Sequence, residues 1–206
     1  MMETTETNAI LVLASASPRR RELLDQIGVN YRVIISEIDE SAHEGEAPGD
    51  YVCRMAREKA LDVKQRERID TPVLAADTAV VIDNRIYGKP ADREQAVEML
   101  QVLSGRTHEV WSAVALTVPG DRMLEQLNVS RVTFAPLEPE WIEAYCDSGD
   151  PMDKAGAYGV QGMAAQKISH LEGSYSGVMG LPLHETSEIL NEACLLNHFE
   201  SGSSSK

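Results

Sequence analysis

The sequence predicts an α/β fold with a mixed sheet, on two observations. Through the first half, apolar strand-like runs alternate with helix-like stretches, the order of parallel strands connected by helices. Between residues 107 and 134, two long strand-like runs are joined by a turn containing Pro119 and Gly120, which indicates an antiparallel hairpin. The 206 residues suffice for one domain with a substantial core.

The first half is predicted to run strand, helix, strand, helix, strand. The bounds of these elements are 10–14, 18–27, 31–36, 50–66 and 73–82. The second helix is predicted because apolar residues recur at 3.6-residue spacing. They are Val52, Met55, Ala56, Ala60 and Val63. A turn at Asp83 and Asn84 then leads into a short extended segment, residues 85–87.

The second half begins with a predicted helix over residues 92–104, capped by Asp92 and ended by Ser104 and Gly105. The remaining elements are strands at 107–118 and 124–134, a helix at 138–147, a strand near 163–171 and a helix at 182–196. Between the last two helices lies a glycine-rich segment, residues 153–162, where backbone can approach a ligand closely.

The segment SASPRR, residues 15–20, follows the first strand directly and opens the first helix. The Ser17 hydroxyl is predicted to cap this helix, and Pro18 suits its first position. A helix start with free N–H groups and the adjacent guanidinium groups of Arg19 and Arg20 can hold phosphate or carboxylate. A surface turn with solvated arginines is the alternative for this segment taken alone.

Two carboxylates are candidates for chemistry. Asp77 interrupts an apolar strand, where a carboxylate is costly unless it has a partner, so it is either satisfied by backbone donors or serves as a metal ligand or general base. Glu40 follows the second strand, after Glu37 and Asp39. If Asp77 and Glu40 meet, they offer the oxygen ligands that Mg²⁺ or Mn²⁺ needs, with water and phosphate completing the shell.

Two lysines complete this hypothesis. Lys89 lies between Gly88 and Pro90, which fix a loop around one cation, although taken alone it fits a solvated turn lysine better. Together with Lys59 it would neutralise phosphate oxygens while Asp77 orients or deprotonates water attacking a phosphoanhydride.

The charge, the composition and the absence of certain motifs argue against several classes of protein. The net charge of −14 argues against general attraction to nucleic acid or to an anionic membrane. No apolar run approaches the length of a membrane span, and the polar N-terminus does not resemble a secretory signal, so a cytoplasmic location is expected. Three dispersed cysteines fit a reducing compartment. P-loop, Rossmann, zinc-hydrolase and serine-hydrolase motifs are absent from the sequence.

Taken together, ordered segments over about residues 10–197 resemble the Maf family of nucleoside triphosphate pyrophosphatases. They are ASASPRRRELL at 14–24, AREKA at 56–60, ADT at 76–78, GKP at 88–90, LSGRTH at 103–108, DKAGAYGVQG at 153–162, GSY at 173–175 and VMGLP at 178–182. The resemblance implies a Maf/Ham1-like (ITPase-like) two-lobed fold with a long mixed sheet and a central nucleotide-binding cleft. It also implies a homodimer and a divalent metal, Mg²⁺ or Mn²⁺.

The resemblance implies roles for individual residues. Asp77 would be the proton acceptor, Glu40 and Lys59 its catalytic or metal-site partners, and Asp77 and Glu40 the metal ligands. Phosphates would be held by Lys89 and by the group Ser15, Arg19 and Arg20. Gln161 would read the base. Arg19, Thr78 and Gln161 resemble the branch that converts dTTP and UTP to the monophosphate and pyrophosphate, a housekeeping role that keeps modified pyrimidine nucleotides out of nucleic acid.

The resemblance implies one domain over residues 10–197, preceded by a flexible extension over 1–9. The low-complexity end of the sequence predicts a flexible tail over 198–206. Two other functions remain open at this point. One is a related enzyme with a purine preference, against which Gln161 and Arg19 argue. The other is a nucleotide-binding regulator of septum formation or division arrest, which would not need the full set of Glu40, Lys59, Asp77 and Lys89.

Overall fold

The computed structural model of the protein describes residues 10–120 and 122–196. Its strands are β1 (Leu11–Leu13), β2 (Tyr31–Val33), β3 (Val73–Ile82), β4 (Arg85–Tyr87), β5 (Thr107–Val118), β6 (Arg122–Phe134) and β7 (Ile168–Glu172). Its α-helices are α1 (Pro18–Gln26), α2 (Pro48–Glu67), α3 (Arg93–Leu103), α4 (Pro139–Asp147), α5 (Tyr175–Met179) and α6 (Leu183–Glu192). Short 3₁₀ turns span Asp150–Asp153, Ala155–Ala157 and Met163–Lys167.

The strands form one mixed sheet in the order β2-β1-β3-β5-β6-β7, with β4 paired to β3. β1 is parallel to both β2 and β3, and the pairings from β3 through β5 and β6 to β7 are antiparallel. The predicted hairpin is the β5–β6 pair, which runs in register from Thr107↔Thr133 to Val118↔Arg122. The α/β class and the mixed sheet predicted from the sequence are therefore confirmed.

The two faces of the sheet are covered differently. Helix α2 covers one face, where Val52, Met55 and Ala56 pack on Ala79, Ala113 and Ala115 of β3 and β5. The other face carries two separate apolar clusters. One contains Leu74 of β3 with residues of α1 and α6, and the other contains Val80 with residues of α3 and α4. The expected central cleft opens between these two clusters.

Most predicted elements are confirmed to within a few residues, and Asp92 caps α3 as expected, accepting a hydrogen bond from the Gln95 N–H at 2.8 Å. The predicted second strand is shorter, ending at Val33, and the predicted helix at 50–66 begins at Pro48. No helix within residues 10–120 and 122–196 combines the length and apolarity needed to cross a membrane. The extension over 1–9 and the tail over 198–206 lie outside the described residues.

Two predictions near the C-terminus are wrong in detail. The strand expected over 163–171 begins only at Ile168, because residues 163–167 form a 3₁₀ turn that buries Ala164. The helix expected over 182–196 ends at Glu192, and Cys194 adopts a positive φ of 57° that a continuing helix does not allow. The preceding short helix α5, which ends at Met179 and is followed by Gly180 as its C-cap, was not predicted.

Candidate functional site

The cleft coincides with an interruption in the pairing of β3. β1 pairs with β3 only as far as Leu13↔Leu74, and β4 begins to pair at Val80↔Tyr87. Residues 75–79, which include Asp77 and Thr78, have no strand beside them on this edge. The cavity there has a volume of about 600 Å³, a size typical of small-ligand sites. Every site residue predicted from the sequence lines it. They are Ser15, Arg19, Arg20, Glu40, Lys59, Asp77, Thr78, Lys89 and Gln161.

Lys59 joins the two predicted carboxylates. Its Nζ donates to Asp77 Oδ1 at 2.7 Å and to Glu40 Oε2 at 2.8 Å. Lys59 lies on the side of α2 that faces the sheet, and Asp77 lies on the face of β3 that α2 covers. The side chains of both residues are 7% exposed. Glu40 comes from the irregular segment after β2, and its side chain is 49% exposed. The Lys59 ammonium therefore lies between the two carboxylates, and each of them contacts it through one oxygen.

The two carboxylates differ electrostatically. Burial raises the pKa of Asp77 above its usual range, and the charges of Lys59 and Arg20 only partly oppose that shift. Burial also raises the pKa of Glu40, but the hydrogen bond and charge of Lys59, helped by Lys89 and Arg20, outweigh it, so the net pKa of Glu40 is lowered. Asp77 is consequently the better proton acceptor of the two, and Glu40 keeps its charge.

The first turn of α1 forms one wall of the cleft. The predicted cap by the Ser17 side chain is wrong, because that hydroxyl makes no capping bond; instead the Ser17 N–H donates to Ser15 Oγ at 3.1 Å. The backbone N–H groups of Arg19 and Arg20 make no hydrogen bond within the described ranges. These two donors at the positive end of a helix therefore stay available to an anion.

The two arginines have different roles in the wall. Arg20 Nε donates to Gly180 O at 2.7 Å and its Nη1 to Ser15 Oγ at 3.4 Å, which fixes the guanidinium beside Asp77 and Glu40. Burial lowers the pKa of Arg20, although these carboxylates oppose the shift. Arg19 reaches across the mouth of the cleft to Asp153, with Nη1 3.0 Å from Oδ2.

The remaining predicted residues lie around the cavity. Lys89 is exposed and makes no hydrogen bond or ion pair with the part of the chain that the structure describes. The backbone N–H of Gly156 donates to Gly88 O at 3.0 Å and so holds the loop that carries Lys89. Gln161 is exposed at the rim. Thr78 Oγ1 lies 2.9 Å from Ser112 Oγ. Because the Ser112 hydroxyl donates its proton to Gly177 O at 2.7 Å, Thr78 is the donor to Ser112 and presents only acceptor capacity to a ligand.

Sequence reasoning missed two cleft residues. Tyr51 donates from its hydroxyl to Glu40 O at 3.0 Å, and Asp153 pairs with Arg19 over a separation of 134 residues. Tyr51 sits on the apolar stripe of α2, where the pattern predicts only packing. Asp153 belongs to a motif noted for its glycines, and no local signal shows that it reaches α1.

The chemistry of the donor set limits which metal the site could take. The described residues contain no cluster of three or more His, Cys, Asp or Glu side chains able to hold a metal ion. Asp77 Oδ2 and Glu40 Oε1 make no hydrogen bond within these residues. Two carboxylates with substrate oxygens and water fit Mg²⁺ or Mn²⁺, which take few protein ligands, and do not fit a structural zinc site.

An interrupted sheet edge with a buried Asp–Lys–Glu group, two arginines and a helix N-terminus defines an α/β protein with a site for a polyanionic ligand. The chain belongs to the Maf family: the family described as "Maf-like protein" matches residues 10–193.

Close relatives cover almost the whole chain. A dTTP/UTP pyrophosphatase of Bordetella parapertussis is 51% identical over 191 residues, covering 89% of this chain and 92% of the relative. A protein with the same name from Alkalilimnicola ehrlichii is 52% identical, covering 88% of this chain and 92% of the relative. Another from Nitrosomonas europaea is 46% identical, covering 91% of this chain and 96% of the relative. A HAM1 protein from Coxiella burnetii is a structural neighbour at 21% identity and a TM-score of 0.46, covering 89% of this chain and 98% of its own.

Proposed function

We propose that this protein hydrolyses dTTP and UTP, and modified pyrimidine relatives, to the nucleoside monophosphate and pyrophosphate. The observation that carries the proposal is the Asp77–Lys59–Glu40 group at the interrupted edge of β3, in a cleft also lined by Arg19, Arg20 and Lys89. The shared name of relatives about half identical over nearly the whole chain supports the same activity.

The α1 wall binds the phosphates. The backbone N–H groups of Arg19 and Arg20, the guanidinium of Arg20 and the hydroxyl of Ser15 lie on one side of the cavity. The ammonium of Lys89, which pairs with none of the described residues, lies on the other rim. These groups stabilise the negative charge that accumulates on the pyrophosphate leaving group. An incoming triphosphate also competes with Asp153 for Arg19.

Asp77 accepts the proton of the attacking water. The water oxygen forms a bond to the α-phosphorus, the bond from that phosphorus to the bridging oxygen breaks, and pyrophosphate leaves with the bonding electrons. Burial raises the pKa of Asp77, which strengthens the carboxylate as a base, and a cation held on its other oxygen would oppose that shift. Lys59 holds Asp77 and Glu40 in place and neutralises one of their two charges.

A divalent cation, Mg²⁺ or Mn²⁺, is part of this proposal. Asp77 and Glu40 would hold it through the oxygens that Lys59 does not use, together with oxygens of the substrate. When bound, such an ion supplies Lewis-acid stabilisation of phosphoryl oxygens.

Thr78 and Gln161 read the base. The imide N–H of uracil and thymine is a donor, which suits the acceptor-only hydroxyl of Thr78 and the amide oxygen of Gln161. Cytosine presents an acceptor at the same ring position, so it is disfavoured. A homodimer remains part of the proposal on the family resemblance, and a cytoplasmic location on the dispersed cysteines that fit a reducing compartment.

The test is pyrophosphate release from a panel of nucleoside triphosphates, dTTP, UTP, CTP, GTP and ITP, with Mg²⁺, with Mn²⁺ and with chelator. The proposal expects metal-dependent release with dTTP and UTP preferred. Preference for ITP would assign the purine-cleansing alternative. Binding without release from any nucleotide would assign the regulatory alternative.

A further inference from the structure

The segment that carries Glu40 has no regular structure to hold it. Between Val33 and Pro48 the chain forms neither helix nor strand. Glu40 nevertheless places Oε2 2.8 Å from Lys59 Nζ. A carboxylate on an irregular segment keeps such a position only where other contacts restrain the backbone, because the ordering entropy opposes it.

Side chains from the first turns of α2 supply these contacts. The Tyr51 hydroxyl donates to the Glu40 carbonyl at 3.0 Å, and Arg54 Nη2 donates to the Ser41 carbonyl at 3.1 Å. Arg54 also forms a two-pronged ion pair with Glu46, from Nε to Oε1 at 2.6 Å and from Nη2 to Oε2 at 2.7 Å. Glu46 Oε2 in turn accepts from the His43 N–H at 3.0 Å.

The Arg54–Glu46 pair is shielded from water. The exposed fractions of the two side chains are 16% and 9%, against 46% and 28% for the equally two-pronged Arg57–Glu125 pair on the same helix. The hydrogen bond from Arg54 lowers the pKa of Glu46 to about 2, so the pair stays charged through the neutral range. Charge-assisted paired bonds of this kind fix geometry as well as contributing energy.

Helix α2 also carries Lys59, so the restraint of the segment and the ammonium that Glu40 must reach belong to one rigid element. We infer that Arg54, with Glu46 and Tyr51, is a positioning residue: it clamps residues 40–46 onto α2 and thereby holds the Glu40 carboxylate at Lys59. The catalytic or metal-site role of Glu40 in this inference rests on the proposed function. The restraint of residues 40–46 can be measured by hydrogen exchange, which does not need turnover.

Two readouts test the clamp. Hydrogen exchange of the backbone amides in residues 40–46 reports whether the segment opens. The Mn²⁺ concentration for half-maximal dTTP cleavage, with kcat and KM for dTTP, reports whether Glu40 is misplaced. Both are measured on the full chain carrying Arg54→Gln, Glu46→Gln or both. Arg57→Gln is the matched control, since it breaks a pair of the same geometry on the same helix away from the segment.

We expect Arg54→Gln and Glu46→Gln each to speed exchange in residues 40–46. Each should also raise the half-saturating Mn²⁺ concentration about 10-fold, as is usual for residues that orient a metal ligand, with KM for dTTP at saturating metal little changed. The double variant should be no worse than either single variant, because both remove the same restraint. Arg57→Gln should match wild type.

Exchange in residues 40–46 that stays at the wild-type rate, or a Mn²⁺ requirement no different from that of Arg57→Gln, overturns the clamp. If Arg54→Gln does not fold, Glu46→Gln and the conservative Tyr51→Phe decide it by the same readouts. If the wild-type protein cleaves no nucleotide, the proposed function fails, and the exchange comparison alone then supports or overturns the clamp.

Discussion

Replacing Lys59 with Met removes the ammonium that two carboxylates share. Lys59 and Asp77 are each buried to 7% side-chain exposure, and the pair is joined at 2.7 Å, so the substitution leaves a buried carboxylate without its main partner. Breaking such a pair by removing one member costs about 3–5 kcal/mol. We expect the lower end, because Asp77 opens to the cleft and Arg20 remains close by.

The loss depends on pH in a defined direction. Burial already raises the pKa of Asp77 against the opposition of Lys59, so removing Lys59 raises it further. When the pKa of a carboxyl group is higher in the folded chain than in the unfolded chain, the free energy of unfolding falls as pH rises through the folded-state pKa. Below the unfolded-state pKa, Asp77 is protonated in both states, and its contribution to the gap between wild type and variant disappears. The gap in unfolding free energy between wild type and Lys59→Met should therefore be larger at pH 8 than at pH 5.

Urea unfolding followed by tryptophan fluorescence measures this gap. A loss of about 3 kcal/mol corresponds to a fall in Tm of about 6–12 °C for a chain of this size. Arg57→Met is the control; it breaks an exposed pair and should cost no more than about 1 kcal/mol. A Lys59→Met loss equal to that of the control, or a gap that widens toward acid pH, would refute the account of this buried group.

Three further predictions follow from the site and its scaffold. Asp77→Asn should lower kcat by at least about 100-fold while calorimetry still detects dTTP binding, because the general base is lost and the phosphate wall is intact; turnover near wild type would remove Asp77 from the mechanism. Gln161→Ala should reduce discrimination of dTTP over CTP by about 1 kcal/mol in kcat/KM, the net contribution of one hydrogen bond at an exposed rim position; an unchanged ratio would contradict its role. Asp92→Ala should cost about 1 kcal/mol in urea unfolding, since the carboxylate caps α3, and no effect on kcat is expected.

The predictable part of the fold is the part with local signals. Strand and helix periodicity located β3, β5, β6 and α3 closely, and a carboxylate within an apolar strand marked Asp77. Lys59 was named as a cation for phosphate and through the family resemblance. The failures lie where periodicity and capping rules do not decide the local structure. Residues 163–167 turn in 3₁₀ geometry to bury Ala164. The Ser17 hydroxyl makes no capping bond, and the neighbouring Ser15 hydroxyl accepts the Ser17 backbone N–H.

Most residues of the site could be named from the sequence, with Tyr51 and Asp153 missed, but their geometry could not be predicted. The motifs named its residues, but the gap between β1 and β4 that exposes Asp77 depends on strand pairing. The contacts of Arg54 with Glu46 and of Arg19 with Asp153 likewise depend on how irregular segments pack. Neither has a sequence pattern of its own.

The central claim is that this cleft breaks the bond between the α- and β-phosphates of a pyrimidine triphosphate. The most direct measurement is product analysis after incubation of the wild-type protein with dTTP and Mg²⁺ or Mn²⁺ in ¹⁸O-labelled water. The account predicts dTMP and pyrophosphate in equal amounts, with the ¹⁸O in dTMP. Release of dTDP and phosphate, or label in the pyrophosphate, would contradict it.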